Sequence, residues 1–294
     1  MTTRATRVRR RTAWGLVVAL GVAALVVITL TTSAPEQFLD PEQASPNGGR
    51  ALAEVLRGHG VQVEVVRSHR ALAETDPAAG TTVVVADSTY LGFDSAQAMG
   101  HAVTGADRLV LLSPTAAQLA ALEVPLVALG ADGDIEATAD CVSTVARRDD
   151  RIGGVDVRFV PADDAPPGSA VPCFGLPNPR DEHATRGSGF AFGAAMVTVP
   201  ATAGRPEVVA MGFASGFTNR RVADASNAGL AVRALGHSRR LIWYQPGISD
   251  LADFDSAAAP TPWPAWLAPG AAVGAIALVT LAFVRGRRMG PLVP

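Results

Sequence analysis

The 294-residue chain contains no lysine, so all 25 of its basic residues are arginine. Charged residues make up only 18% of the chain and aromatic residues 5%, while 48% of the residues are apolar. This composition excludes an intrinsically disordered protein, which combines low hydrophobicity with high charge. The length allows one large domain, or two small ones, with a substantial core.

Acidic residues are missing from both ends of the chain. Five arginines precede a first apolar run and three follow a second, whereas all 27 acidic residues lie between the two runs. The middle section has 17 arginines and therefore a net charge of −10. Because phosphate binding needs a basic face, we expect no nucleic-acid partner.

The two apolar runs, residues 14–31 and 266–284, contain no charged residue. Each is close to the roughly 20 residues that a helix needs to cross the hydrocarbon core, and both are predicted to be transmembrane helices. A cleaved signal peptide is the alternative for the first run, but such peptides have apolar regions of about 7–15 residues. The flanking arginines predict that both termini are cytoplasmic, with the lipid bilayer as the first partner.

These features predict the order of segments along the chain. In this order, they are a basic cytoplasmic N-terminus at 1–13, a transmembrane helix at 14–31, a linker at 32–44, an extracytoplasmic domain at 45–262, a second transmembrane helix at 266–284 and a basic cytoplasmic C-terminus at 285–294. The predicted location is therefore the plasma membrane, crossed twice, with the main domain outside.

Only two cysteines occur, Cys141 and Cys173, and both lie in the middle section. Outside the cytoplasm an isolated pair predicts a disulfide, and a loop of this length would stabilise the fold by about 3–4 kcal/mol. Two unpaired buried thiols are the alternative, because spacing alone does not establish pairing.

Helix-like and strand-like patterns alternate through the middle section. Short runs rich in β-branched and aliphatic residues, such as "TTVVVAD" (81–87) and "RLVLLS" (108–113), are typical of strands buried on both faces, and helix-like runs separate them. The section from about 131 to 206 instead favours antiparallel hairpins. We therefore predict an α/β domain with a mostly parallel, flavodoxin-like sheet and a β-rich insertion.

The glycines of "SPNGGRALAEVL" (45–56) raise the question of a phosphate loop. Such loops follow a strand and need a further glycine, or a Lys followed by Ser or Thr, and this segment has neither. A helix capped by the side chain of Ser45 or Asn47 is the favoured interpretation, with anion binding at the helix N-terminus as the alternative.

Candidate ligand-binding residues follow two predicted parallel strands, at the edge where open α/β sheets bind ligands. They are Asp87, Ser88, Ser113 and Thr115, and Asn219 after a later strand could line the same crevice. The alternative is that these residues only cap helices and form turns. Ser113 lacks the G-x-S-x-G pattern of an exposed nucleophile. No catalytic residue or cofactor is predicted. No metal site is predicted either, because the histidines lack metal-ligand spacing.

Four stretches resemble the actinobacterial membrane proteins of domain of unknown function 4350. They are "NGGRALAEVL", "FTNRRVADASNAGLAVRALG", "RRLIWYQPGISD" and "RGRRMGPLV". The resemblance implies an outer domain similar to class I glutamine amidotransferases, and membrane-protein partners encoded beside a MoxR-type ATPase. Amidotransferase catalysis needs a cysteine at a strand-to-helix turn, and neither cysteine has that context.

The predicted function is therefore binding or assembly at the cell envelope by a membrane-anchored protein with a non-catalytic outer domain. One alternative is an envelope hydrolase or transferase that uses Ser113 or Asp87. Another is a ligand sensor that passes a signal through its second span.

Overall fold

A computed structural model gives the fold of the middle section. Residues 1–252 form one compact unit and residues 253–294 a second. The structure describes residues 37–131, 133, 135–141, 143–176 and 190–251, with isolated positions at 21, 270, 273, 274 and 277.

Nearly all of both predicted spans lies outside the described residues. Among the residues that are described, no helix combines the length and the apolar character needed to cross a membrane. The two transmembrane helices that flank the domain therefore remain a prediction.

Five α-helices and eleven strands are described. The helices are α1 (Arg50–Gly58), α2 (His69–Glu74), α3 (Phe93–Ala102), α4 (Ala116–Ala121) and α5 (Asn227–Leu235). The strands are β1 (Gln62–Val66), β2 (Thr81–Val85), β3 (Arg108–Leu112), β4 (Leu126–Gly130), β5 (Ala137–Thr138), β6 (Arg151–Ile152), β7 (Val157–Pro161), β8 (Val171–Gly175), β9 (Ala194–Val199), β10 (Glu207–Met211) and β11 (Arg240–Tyr244). Short 3-10 helices span Ala214–Phe217 and Ile248–Asp250.

The main sheet is mixed, with the order β1-β11-β2-β3-β10-β9-β7-β4 and with β8 paired to β9. The first five of these strands are parallel to one another. The remaining strands pair antiparallel, and β5 and β6 form a separate antiparallel hairpin. The described strands thus make four parallel and five antiparallel pairings, so the prediction of a mostly parallel, flavodoxin-like sheet is wrong.

The error arises where the chain leaves α4. The alternating pattern before about residue 131 predicts that the strand after α4 continues the parallel sheet. In the structure this strand is β4, which lies at the far end of the sheet and pairs antiparallel with β7. Its burial explains the difference: β2 and β3 are buried at every position, whereas four of the five residues of β4 are partly or fully exposed. An antiparallel edge strand can expose one face to water, but a central parallel strand cannot.

Two apolar cores lie on opposite faces of the sheet. One contains Leu52 of α1 and Leu230 of α5, and the other contains Met99 of α3 and Leu119 of α4. Alternate residues of each strand contribute to opposite cores, as the two-residue period of a strand requires. In β3, for example, Val110 belongs to the first core and the residues beside it to the second.

The predicted disulfide is present in the structure. Cys141 and Cys173 are bonded, with their Cα atoms 5.3 Å apart. Cys173 lies in β8, so the bond joins a loop of the β-rich section to the main sheet.

Candidate functional site

A cavity of about 190 Å³ lies at the carboxyl edge of the parallel strands. Most of its lining residues lie at the end of β3, follow β2, β3 or β10, or precede β7, and one comes from the N-terminal linker. The lining residues are Phe38, Ala86, Asp87, Ser88, Thr89, Leu112, Ser113, Asp156 and Ala214. Three of the predicted site residues, Asp87, Ser88 and Ser113, are thus brought together.

The cavity sits where the connections of two neighbouring strands diverge. Strand β3 leads into α4, whose Leu119 packs in one core, whereas β10 leads towards α5, whose Leu230 packs in the other. Helices that leave neighbouring parallel strands on opposite faces open a crevice between them, and open α/β sheets bind ligands at this place. The parallel part of the sheet therefore retains a switch point, although the whole sheet is mixed.

Asp87 and Ser88 hold the loop after β2. The backbone N–H of Thr89 donates to Oδ1 of Asp87 at 3.0 Å, and Asp87 is only 9% exposed. The hydroxyl of Ser88 donates to the carbonyl oxygen of Ser113 at 3.0 Å, which ties this loop to the one after β3. Both side chains therefore serve as turn residues while they line the cavity.

Ser113 adopts an unusual backbone conformation. Its φ is +45°, a left-handed value that is uncommon for residues other than glycine. Its N–H continues the sheet by donating to the Met211 carbonyl at 2.7 Å, and its Oγ accepts from the Ala214 N–H at 3.3 Å. Ser113 thus lines the cavity from a turn with unusual backbone geometry between a strand and a helix.

A second carboxylate, Asp156, was not predicted to belong to this site. Its backbone joins the edge of the sheet, because its N–H donates to the Gly212 carbonyl at 2.8 Å. The side chain is exposed at the cavity, yet desolvation by neighbouring protein atoms raises the pKa of its carboxyl, and the charge of Arg221 partly opposes that shift. The sequence "VDVRFV" indicates a strand but not which edge of the sheet it meets.

Gly212 allows this close approach. A Cβ at that position would lie 1.8 Å from the carbonyl oxygen of Val157, so only glycine lets the end of β10 pass the start of β7. The contact sets Asp156 beside the loops after β2 and β3.

Thr115 does not line the cavity. It caps α4: its Oγ1 accepts from the Gln118 N–H at 3.3 Å, and its own N–H donates to Oε1 of Gln118 at 2.9 Å. This reciprocal capping box uses the side chains of both residues. For Thr115, the capping alternative is the one that the structure supports.

Asn219 binds the start of α1 instead of lining the cavity. Its Oδ1 accepts from the Ala51 N–H at 2.8 Å, while its Nδ2 donates to the carbonyls of Gln43 and Ser45 at 2.9 and 2.7 Å. It therefore caps a helix that lies far away in sequence.

The residue at the N-cap of α1 is Gly49, which makes no side-chain hydrogen bond, so the predicted capping by Ser45 or Asn47 is wrong. The adjacent Gly48 is needed for packing: a Cβ on Gly48 would lie 2.2 Å from the Gln43 carbonyl oxygen. Close packing and the distant amide of Asn219 thus account for a segment that resembled a phosphate loop.

Among the residues that the structure describes, none of those lining the cavity is a histidine. Among the four described histidines, His59 contacts the Val55 carbonyl, His69 contacts Asp250, and His101 lies at another cavity. His237 is exposed at the domain surface. Desolvation by neighbouring protein atoms, and then the nearby charge of Arg108, lower the pKa of its imidazole. In the described part of the chain, no cluster of three histidine, cysteine or acidic residues could hold a metal ion.

A larger cavity of about 270 Å³ lies at the opposite edge of the sheet. It lies between the end of α3, the end of α4 and the turn before β10, and its polar side chains include His101 and Arg205. Arg205 is already engaged, because its Nη1 donates to the Glu123 carbonyl at 2.6 Å. The smaller cavity is the better candidate, since it lies at the switch point and gathers several hydrogen-bonding side chains.

Comparison with known families places the chain. The model of the family described as "Domain of unknown function (DUF4350)" matches residues 41–235, a range that includes ten of the eleven described strands and leaves out β11. The chain belongs to the DUF4350 family. This DUF4350 protein is also 29% identical, over 99% of its length and 71% of the relative's, to "Uncharacterized membrane protein Rv3691" of Mycobacterium tuberculosis strain ATCC 25618 / H37Rv. No solved structure matched.

Proposed function

We propose that this DUF4350 protein is anchored in the plasma membrane and that its main domain lies outside the cytoplasm. The relative described as a membrane protein supports the anchoring. The uncharged runs at 14–31 and 266–284, each with arginines on its outer side, support two crossings with both termini in the cytoplasm. The disulfide between Cys141 and Cys173 supports an oxidising compartment for the domain.

The domain acts by binding, at the cavity on the carboxyl edge, and not by catalysis. The observation that carries this proposal is the composition of the cavity lining, which has hydroxyl and carboxylate side chains but no imidazole among the residues that the structure describes. The hydroxyl of Ser88 and the carboxylate of Asp87 are engaged with the backbone. In the described part of the chain, no histidine lies at the cavity with Ser113 to remove a proton in the way that activates a serine nucleophile.

The chemistry of the lining defines the class of ligand. Two carboxylates, Asp87 and Asp156, face a small space whose other polar side chains belong to serine and threonine. Carboxylates only accept hydrogen bonds when ionised, so the cavity suits a small group that donates them, such as an ammonium with a neighbouring hydroxyl. An anion would meet two like charges and is disfavoured.

The test compares two small probes with the full-length chain in lipid nanodiscs. Ethanolamine carries an ammonium and a hydroxyl, and glycolate is a similarly small anion. We expect ethanolamine to bind and Asp156→Asn to weaken that binding by about tenfold or more, because a hydrogen bond to a charged group contributes roughly 1.5–3 kcal/mol. Asp164→Asn, in an exposed turn outside the cavity, is the matched control and should bind as the wild type does. Tighter binding of glycolate, or equal losses in both variants, would refute the ligand class.

A second candidate function, an envelope hydrolase or transferase, is favoured by one observation. Ser113 has a left-handed φ at the turn between β3 and α4 and lines the cavity. A strand-to-helix turn is where hydrolases with a nucleophile elbow carry their serine. A fluorophosphonate probe followed by intact-mass measurement separates the two functions: we expect no adduct, and an adduct lost in Ser113→Ala would establish the enzyme.

The proposed membrane location also defines the proposed partners. We propose the lipid bilayer as the permanent partner, with other membrane proteins, including products of a neighbouring MoxR-type ATPase cluster, as assembly partners. A ligand at the carboxyl edge could also be sensed through the second span, and ligand-dependent co-purification of a membrane protein would test both ideas.

A further inference from the structure

The two ends of the folded domain lie side by side at the carboxyl edge. Arg67, just after β1, donates to Oε1 of Gln37 and to Oδ2 of Asp40, both at 2.9 Å, and so holds the entering chain. Two residues further on, the Nδ1 of His69 lies 2.9 Å from Oδ1 of Asp250 and holds the leaving chain. The loop at residues 67–69 therefore holds both the segment where the chain enters the domain and the exit, the segment where the chain leaves it.

A buried carboxylate, that of Asp250, holds the exit in place. Asp250 is fully buried, and its Oδ2 accepts from the hydroxyl of Tyr244 at 2.9 Å and from the Gly247 N–H at 3.3 Å. Oδ1 accepts from the backbone N–H of His69 at 3.2 Å as well as from its ring. These bonds fix the short 3-10 helix at Ile248–Asp250 on the domain surface.

Three large apolar side chains stand exposed around this exit. Ile248 is 74% exposed, Leu251 is 52% exposed and Phe93 is 49% exposed. The backbone brings them together: Leu251 N–H donates to the Ile248 carbonyl at 3.2 Å, and the N–H of Gly92, beside Phe93, donates to the Asp250 carbonyl at 2.7 Å. We call Phe93, Ile248 and Leu251 the exit patch. Grouped exposed apolar side chains mark an interaction surface, whereas single ones do not.

The length of the N-terminal linker limits what can cover the exit patch. This step rests on the proposed membrane anchor at 14–31. Only the short segment 32–36 separates that anchor from Gln37, and a fully extended chain spans at most about 3.3–3.6 Å per residue, so Gln37 lies within roughly 20 Å of the hydrocarbon. The polar headgroup layer alone is about 5–8 Å deep on each side.

We infer that the exit patch rests against the lipid bilayer, with Phe93, Ile248 and Leu251 inserted at the boundary between headgroups and acyl chains. Apolar and aromatic side chains favour this boundary when an adjacent segment holds them there. Other strongly exposed apolar residues, such as Val55 in α1 and Val171 in β8, lie on other elements and lack this grouping at the exit.

Photo-crosslinking of the full-length chain in liposomes tests the inference. p-Benzoylphenylalanine replaces Ile248 in one variant and Phe93 in a second, and the matched control carries it in place of Val171, which is 45% exposed. We expect the Ile248 and Phe93 variants to form lipid adducts, detected by intact mass, severalfold more than the Val171 variant. Because the replaced side chains are exposed, folding should be retained, and an intact disulfide in each variant checks it.

Each other outcome overturns the inference. Equal lipid adducts at all three positions would mean that the liposome surface is contacted at random. Protein adducts in place of lipid adducts would assign the exit patch to a protein partner. Carbonate extraction of the same samples separates this inference from the proposed function: a chain that stays in the pellet without lipid adducts contradicts only the exit patch, and a chain that is released contradicts the anchor as well.

Discussion

The buried Arg108 provides the sharpest test of how the fold is held together. Its side chain is fully buried at the start of β3, where its Nε donates to Oε1 of Glu207 at 2.6 Å. Its Nη1 donates to the carbonyls of Arg233 and Ala234 at 3.1 and 3.3 Å, and its Nη2 to the hydroxyl of Thr144 at 2.8 Å. One guanidinium thus joins β3, β10, the C-terminal turn of α5 and a loop of the β-rich section.

The perturbation is Glu207→Gln, which leaves the guanidinium in place and removes its counter-charge. Breaking a buried ion pair in this way costs about 3–5 kcal/mol, and we expect the lower end because the Glu207 side chain is 26% exposed. Arg108→Met removes the charge but leaves all four acceptors without this donor, at a cost of about 1–3 kcal/mol for each that water cannot reach. Both losses are large for a domain of ordinary stability.

Arg240 is the matched control, because it also begins a parallel strand, β11, and pairs with Glu64 at 2.8 Å while both side chains remain partly exposed. Arg240→Met should cost no more than about 1 kcal/mol. Pulse proteolysis of the detergent-solubilised full chain across a urea series gives the free energy of unfolding for each variant. The double variant Arg108→Met/Glu207→Gln should be destabilised by clearly less than the sum of the single changes. Losses that add within about 0.5 kcal/mol would refute the coupling.

Two further predictions concern the helix start and the buried tyrosine. Gly48→Ala should destabilise the domain by at least about 2 kcal/mol, because the new Cβ would meet the backbone of the linker loop. Gly58 has nothing within 4 Å of its Cβ position, so Gly58→Ala should be neutral or stabilising by up to about 1 kcal/mol. Equal effects of the two changes in thermal unfolding would contradict the packing account. Burial, followed by the charge of Asp250, raises the pKa of Tyr244, so the stability from this group is present below about pH 10 and is lost as the pH rises through the raised value. Tyr244→Phe should therefore reduce the loss of stability above about pH 10 in an alkaline unfolding series, and an unchanged pH dependence would show that this hydroxyl does not control it.

Local patterns were enough to predict the parallel strands and the cavity they support. The short runs of β-branched and aliphatic residues that form β2 and β3 are buried at every position, as a parallel strand in the middle of a sheet requires. Asp87 and Ser113 meet at one cavity because the carboxyl ends of neighbouring parallel strands always lie on the same edge. These inferences need only short-range periodicity and one rule of sheet geometry.

Long-range pairing could not be predicted in the same way. The strand "VPLVAL" has the composition of a parallel strand, but its place at the far end of the sheet depends on β7, which lies about 30 residues later. Asp156 reaches the cavity for the same reason, through the contact of Gly212 with Val157. Asn219 caps α1 from 168 residues away, and no local capping rule contains that bond.

Hydrogen–deuterium exchange of the full chain in nanodiscs, with and without saturating ethanolamine, tests the central claim most directly. If the cavity at the carboxyl edge binds donor-bearing ligands, the amides of residues 86–89 and of Ser113 will be protected, and Asp156→Asn will remove that protection. Protection instead at the larger cavity, around residues 100–104 and 202–205, would contradict the account, as would no protection at either cavity.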